Sequence, residues 1–255
     1  NFALYVDTES QVAKKLLLGA AVRFEDYSDF GNTVTGKLSA RYDVSPRFSL
    51  RSTVSTGFRA PSVQQEFYSQ RSTNLNAAGV LTDTLTARQD SAVARALGVP
   101  PLAEETSRNY SLGFVAKPLD VFRVTLDAYQ IDIDDRIIFS SNIQPEDAAS
   151  CGTPFNPARC PIRAILDPLG VGQLLLFTNA IDTRTRGIDL VSVYDWRLSS
   201  ESLLSFEGAF HQNRTEVLRR KSPSTILPAP VLFDDAQVTL VERGQPRQHY
   251  VLSGT

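Results

Sequence analysis

Along most of the chain, apolar and polar residues alternate with a period of two, the pattern of a strand whose faces meet different surroundings. In residues 15–27, Leu16, Leu18, Ala20, Val22 and Phe24 take one face, and Lys15, Gly19, Arg23 and Glu25 the other. In residues 34–44, Leu38, Ala40, Tyr42 and Val44 oppose Lys37, Ser39, Arg41 and Asp43. In residues 47–57, Phe48, Leu50 and Val54 oppose Arg47, Ser49, Arg51, Thr53 and Ser55. The pattern resumes with Tyr110, Leu112 and Phe114, then with Phe122, Val124, Leu126 and Ala128, and again with Leu204, Phe206 and Phe210. A looser version covers Thr185 to Leu190, and residues 1–7 and 248–253 read as strands cut by the ends of the chain.

The connections alternate too. Tight turns are expected at Val44-Ser45-Pro46, Lys117-Pro118-Leu119-Asp120 and residues 197–202. Between them lie long excursions over residues 58–103, 134–173 and 213–245, with local helix expected at 90–97 and 145–149. A compact soluble domain rarely holds three such loops. A transmembrane barrel does so routinely, with short turns at one rim and long loops at the other. Tyr42, Phe48, Phe122 and Trp196 lie near the short turns, where an interfacial aromatic girdle would sit, although aromatics also favour strands anywhere. A soluble β-sandwich alternates in the same way, so it is the loop asymmetry that favours the barrel.

Composition agrees. The formal net charge is −2, which offers no basic surplus for nucleic acid. The longest apolar run, Leu16 to Val22, is too short for a spanning helix, and residues 1–5 read as strand instead of a signal peptide. Neither point bears on a barrel, whose strands need only about 9–11 residues each. Cys151 and Cys160 stand close together among Pro154, Pro157 and Pro161, with His211 and His249 remote in sequence. A small disulfide-closed loop is the favoured reading over a zinc site, and two free thiols are the alternative.

Four segments carry a family resemblance. Gly57-Phe58-Arg59-Ala60-Pro61-Ser62 resembles the G-F-R-A-P-S segment of TonB-dependent outer-membrane receptors. Residues 104–114 resemble that family's P-E-x-S-x-N-x-x-x-G strand, with Ala103 where Pro is frequent. Leu126-Asp127-Ala128-Tyr129-Gln130-Ile131, followed by Asp135-Arg136-Ile137, is similar to L-D-Y-Y-x-I leading to D-R-I. Asn179-Ala180 and Thr185-Arg186-Gly187-Ile188-Asp189-Leu190 resemble the N…A…T-x-G-I-E-L strand. The resemblance implies an all-β fold: an antiparallel transmembrane β-barrel fragment, about nine strands of an expected 22-stranded barrel, with long extracellular loops. It also implies a plug and a TonB box that residues 1–255 do not contain, uptake energised by TonB, no catalysis and no cofactor. The implied partners are TonB, outer-membrane lipid and lipopolysaccharide, and a small ligand such as a ferric siderophore.

Ligand-contacting candidates sit at the roots of the long loops: Arg59, Gln64, Gln65, Tyr68, Arg71 and Arg136. Arg59 suits an anionic ligand, but a structural bond to a lumen carboxylate is the plainer reading. Asp132, Asp134 and Asp135 lack the glycine and terminal glutamate of a calcium loop, and no metal site is expected. A solvated strand end, or divalent ions bridging lipopolysaccharide, accounts for them. Arg23, Glu25, Arg41, Arg51, Arg123, Asp127 and Glu207 share the polar face, because Arg or Lys facing lipid costs roughly 2–4 kcal/mol at the midplane. His211 is read as an ordinary polar strand residue, with pH sensing as the sharper alternative. A passive porin-type channel and a soluble or surface β-domain binding carbohydrate or a partner remain the competing functions.

Overall fold

The computed structural model describes residues 2–28, 31–75, 79–199 and 202–255. Among these described residues twelve strands form: β1 (Phe2–Ala13), β2 (Leu16–Tyr27), β3 (Gly31–Ser45), β4 (Phe48–Arg59), β5 (Gln70–Leu75), β6 (Leu81–Thr86), β7 (Glu105–Leu119), β8 (Phe122–Phe139), β9 (Gln173–Leu175), β10 (Phe177–Arg197), β11 (Leu203–Arg220) and β12 (Gln248–Gly254). Nine of them make one antiparallel sheet in the order β1-β2-β3-β4-β7-β8-β10-β11-β12. Each long strand pairs with the next long strand in sequence, so the sheet is a meander, and it does not close on itself. Residue 1 of the expected opening strand, and residues 200–201 of the last tight turn, lie outside the described residues.

The tight connections all fall at one end of the sheet: residues 14–15, 46–47, 120–121 and 198–202. At the other end lie three long excursions, and β2 and β3 are joined there through residues that fall partly outside the described ones. The second and third excursions begin later than the sequence pattern suggests, because β8 continues to Phe139 and β11 to Arg220, while β10 begins at Phe177, just past the expected end of the second. At β8 the reason lies in Ile137 and Ile138, which are both buried. Where loops cover both faces of a strand, both faces become apolar and the alternation that marks a strand is lost.

Register turns single strands into two surfaces. Leu16, Tyr42, Leu50, Phe114, Leu126, Leu190, Phe210 and Tyr250 are successive in-register partners across eight strands, forming one apolar row. The parallel row one residue away runs Arg41, Arg51, Gly113, Asp127, Asp189, His211 and His249, and it is polar. Among the described residues nothing packs over the middle of the apolar side: Leu38 is 66% exposed and Leu112 63%. At the tight-turn end, Phe122, Tyr194 and Phe206 are in register on that same side.

The polar side is laced by ion pairs: Arg23 with Glu25 at 2.7 Å, Arg41 with Asp43 at 2.9 Å, and Arg51 with Asp127. Arg51 and Asp127 sit on strands separated by β7 and meet across Gly113. A Cβ built there would fall 2.0 Å from Asp127 Oδ1 and 2.6 Å from the Leu126 carbonyl oxygen. Gly187 does the same for Tyr129, whose ring would lie 2.4 Å from an added Cβ and which stacks on His211. His211 Nδ1 bonds Asp189, and Asn213 Nδ2 lies 2.8 Å from His211 Nε2. Both glycines are places where a neighbouring strand's side chain crosses the backbone.

The compact core is not in the sheet. It lies among the excursions, where Leu97, Val99, Ile143, Leu166, Leu174, Leu176, Leu227 and Leu232 pack together. Each of the three long segments contributes to it. The expected helix at 90–97 appears as α2 (Ala92–Ala96), and residues 148–151 form a 3-10 turn near the second expected helix. In chain order, the other helices are α1 (Val63–Phe67), α3 (Pro161–Leu166), α4 (Ala229–Leu232) and α5 (Asp235–Arg243).

Gly113→Ala should therefore destabilise the sheet by about 1–3 kcal/mol, the usual cost of overpacking. Gly36→Ala, whose new Cβ meets nothing nearer than 3.7 Å, should be close to neutral. Urea unfolding of the two variants in lipid vesicles checks the difference, and equal midpoints would refute it.

Candidate ligand-facing site at the loop end

Arg59 closes β4 opposite its in-register partner Glu105, which opens β7. Its guanidinium takes both carboxylate oxygens, with Nε 2.8 Å from Oε2. Glu105 is only 5% exposed and also accepts the Ile137 N–H at 2.7 Å, so one carboxylate joins β4, β7 and β8. Arg136 stands beside this knot. Its Nη1 reaches Thr183 Oγ1 at 3.5 Å, and among the described residues no carboxylate lies within ion-pair distance of it. A cavity of about 320 Å³ lies here, lined by Phe58, Arg59, Glu105, Ser107, Ile133 and Arg136. Arg59 and Arg136 thus share one cavity in different electrostatic states, the first neutralised and the second with spare charge.

The acidic cluster is held by cations from neighbouring segments. Asp132 receives Arg184 at 2.6 Å, Asp134 receives Arg108 at 2.6 Å, and Asp135 receives Lys221 at 2.8 Å. Lys221 also touches Asp182 at 2.6 Å. Burial works against the Lys221 charge, but the hydrogen bonds to Asp135 and Asp182 outweigh it and raise its pKa above the ordinary lysine value. Asp135 has a φ of 54°, and it lies where the β8–β10 register shifts. Its backbone N–H donates to Asp182 Oδ1 at 3.0 Å, which holds this uncommon conformation in place.

The remaining candidates lie on the first excursion. Gln65 belongs to the cap of α1: the Ser62 N–H donates to its side-chain oxygen at 2.9 Å, and the Gln65 N–H donates to Ser62 Oγ at 3.2 Å. Gln64 is exposed on the same short helix. Tyr68 follows it, half exposed, with its hydroxyl bonded to Gln70. Arg71, on β5, holds Asp83 at 2.7 Å and donates to the carbonyls of Leu169 and Gly170 at 3.2 and 3.1 Å. It therefore ties the first excursion to the second. Thr73 and then Arg71 donate to Asp83 and hold its carboxyl below the usual range.

Three features of this end escape the periodicity reading. Strands β5, β6 and β9 form a small second sheet in which β6 and β9 run parallel. Helix α5 packs on β11 through Val238 and Val241, around Phe233. Lys221 joins two excursion roots. The helices did leave a signal: Ser62 and Asp234 each stand three residues before a glutamine whose N–H they cap. The parallel strand pair left none, since its partners are far apart in sequence. Cys151 and Cys160 are bridged, with Cα atoms 5.5 Å apart, and both are buried.

An open antiparallel sheet with one unpartnered apolar face, one ion-paired face, tight turns at one end and a packed loop layer at the other defines a segment of membrane β-barrel wall. The profile of the TonB-dependent receptor-like β-barrel matches residues 1–230, and the chain belongs to that family. Among curated proteins, none matches it significantly in sequence. Among solved structures it resembles the siderophore receptor PirA from Pseudomonas aeruginosa, with 18% identity and a TM-score of 0.52 over 84% of this chain and 36% of that one. It also resembles the ferric enterobactin receptor of Pseudomonas aeruginosa, with 16% identity and a TM-score of 0.55 over 85% and 26%. The RagAB peptide importer is similar at 12% identity and a TM-score of 0.55 over 86% and 22%. The chain thus spans between a fifth and two fifths of the length of these structures, and the likeness shows the fold.

Opening the disulfide with Cys151→Ser and Cys160→Ser should destabilise the second excursion by on the order of 2–3 kcal/mol, the entropy of releasing so small a loop. Hydrogen exchange limited to residues 145–170 measures this, and unchanged protection would refute it. For Asp83, a depressed carboxyl pKa supplies stability above the ordinary carboxylate value that is lost as pH falls through the folded one. Protease cleavage within residues 70–86 should therefore accelerate as pH drops below about 4, the ordinary aspartate range, and Asp83→Asn should abolish that acceleration.

Proposed function

We infer that the chain forms wall and outer loops of an outer-membrane receptor that imports a scarce ligand with energy delivered by TonB. A ferric siderophore is the best-supported ligand class. The family match over residues 1–230 carries this reading, and two of the similar structures are a siderophore receptor and a ferric enterobactin receptor. The apolar face lies in the bilayer, the polar face lines the lumen, and the packed excursions face the outside. The barrel's polar interior charges then meet water or a plug, where they pair instead of paying a desolvation cost. The protein binds and moves its ligand and catalyses no reaction.

Within this reading, the cavity at Arg136 is the first contact point for an anionic ligand. Its guanidinium is free to make charge-assisted hydrogen bonds, whereas Arg59 positions the cavity wall through Glu105. Gln64 and Tyr68, exposed on the first excursion, supply polar and aromatic contact above it. Gln65 and Arg71 hold that excursion in shape. A peptide ligand is the second reading, favoured by the similarity to a peptide importer. A passive channel is the third.

The test is uptake by cells carrying the full-length protein, with a panel of radiolabelled ferric catecholates and hydroxamates and labelled oligopeptides. Accumulation of a ferric siderophore that disappears when TonB is deleted, and falls about tenfold or more in Arg136→Gln, is the expected outcome. Accumulation that survives loss of TonB would establish the passive channel instead.

A further inference from the structure

Above the apolar band on the outward face, two consecutive rows of the sheet are charged in different ways. The upper row reads Arg108, Asp132, Arg184, Glu216 through in-register partners on β7, β8, β10 and β11. Its signs alternate: Arg184 pairs with Asp132 at 2.6 Å within the row, Arg108 pairs with Asp134 beyond it at 2.6 Å, and every cation in it has a carboxylate. The row below reads Tyr110, Gln130, Arg186, Arg214 on the same four strands, and it holds no carboxylate. Arg186 and Arg214 are direct partners. Like charges directly opposite in a sheet repel, and strands normally avoid the arrangement.

Neither arginine is fully compensated within the chain. Arg186 Nε donates to the neutral Gln130 Oε1 at 2.8 Å. Arg214 lies 3.1 Å from Glu216, but Glu216 also faces Arg184 in register, and Arg214 is 65% exposed. The next row down is Leu112, Ala128, Ile188, Gln212. The small Ala128 leaves a hollow between Leu112 and Ile188. The resulting outward groove, of about 680 Å³, reaches from Val54 across to Arg214. Apolar surface dominates its floor and cations mark its upper rim, in the order of an acyl chain below an anionic headgroup.

Resting on the reading of this sheet as outer-membrane barrel wall, we propose that this groove binds a phosphorylated, acylated lipid of the outer leaflet. The phosphate bridges Arg186 and Arg214 from outside and relieves their repulsion. Gln130 and the Tyr110 hydroxyl border the headgroup, and an acyl chain lies over Ala128 between Leu112 and Ile188. A lone anion would satisfy the arginines but leave the apolar groove unfilled. A neutral lipid would fill the groove but leave the two cations facing each other. Only a ligand carrying both chemistries matches the two rows together.

The experiment uses the full-length protein in non-ionic detergent, with lipid A, dephosphorylated lipid A and inorganic phosphate as probes, read by native mass spectrometry. Lipid A should be retained about tenfold or more strongly than its dephosphorylated form, and millimolar inorganic phosphate should not displace it. The double variant Arg186→Gln/Arg214→Gln should lose that preference, while Ala128→Leu should weaken both lipids alike. Arg108→Gln, whose guanidinium is already paired with Asp134, should leave binding unchanged. Heat-modifiable gel mobility verifies that each variant is folded, and the lipid comparison on the unaltered protein needs no variant. Equal retention of both lipids, displacement by inorganic phosphate, or full retention by the double variant would each overturn the site. A protein that transports its ligand by TonB yet shows no phosphate preference loses this site alone, whereas one that never enters a membrane loses the reading beneath it.

Discussion

The structure depends on sideways backbone pairing. Nine strands pair their main-chain donors and acceptors with each other, in an antiparallel ladder from β1 to β12 whose register shifts only locally, as between β8 and β10. In a bilayer there is no water to take up the remainder, so this ladder is what makes a spanning sheet possible. It also dictates everything about the side chains. Because register holds through the middle of the sheet, one residue's offset moves it from the apolar row through Leu50 and Phe114 to the polar row through Arg51 and Asp127. The chemistry of each face is therefore a collective property of eight or nine strands, and a single slip would expose charge on the wrong side along a whole strand.

Polar-face contacts reinforce the ladder without adding to the core. Arg51 and Asp127 meet only because Gly113 leaves the crossing open, and Tyr129 reaches His211 only because Gly187 does the same. The family motifs include both glycines, and the structure supplies the reason: each permits a contact that skips a strand. Arg59 and Glu105 act similarly at the loop end. A single nearly buried carboxylate holds a guanidinium and a backbone N–H from two different strands. Breaking one partner of such a knot leaves a buried charge uncompensated, which costs more than the pair contributes.

The loops obey a different rule. Their core of leucines, isoleucines and valines is packed as in a soluble protein, drawn from all three excursions and braced by the Cys151–Cys160 bridge and by Arg71. This gives the loop end of the sheet a preformed shape. Arg136 stands out at the loop end because Arg59, Lys221 and Arg71 all have carboxylates and it has none within ion-pair distance among the described residues.

The sequence by itself determined the strands, their two faces and the tight-turn end, because alternation with period two is a local consequence of unequal surroundings. It also carried the four ordered motifs and the cysteine pairing. It misjudged the root of the second excursion at β8, since residues 137–138 are buried and lose the alternation. Among the site candidates, residue type alone placed Arg59, Arg71 and Arg136 on one footing. Only the tertiary structure separated them, by bringing Glu105 and Asp83 to the first two and none to the third. The like-charged neighbours Arg186 and Arg214 are 28 residues apart in sequence number (214 − 186) and became partners only through the β10–β11 register. Charge type is written in the chain, but compensation depends on distances between strands that only the folded sheet sets.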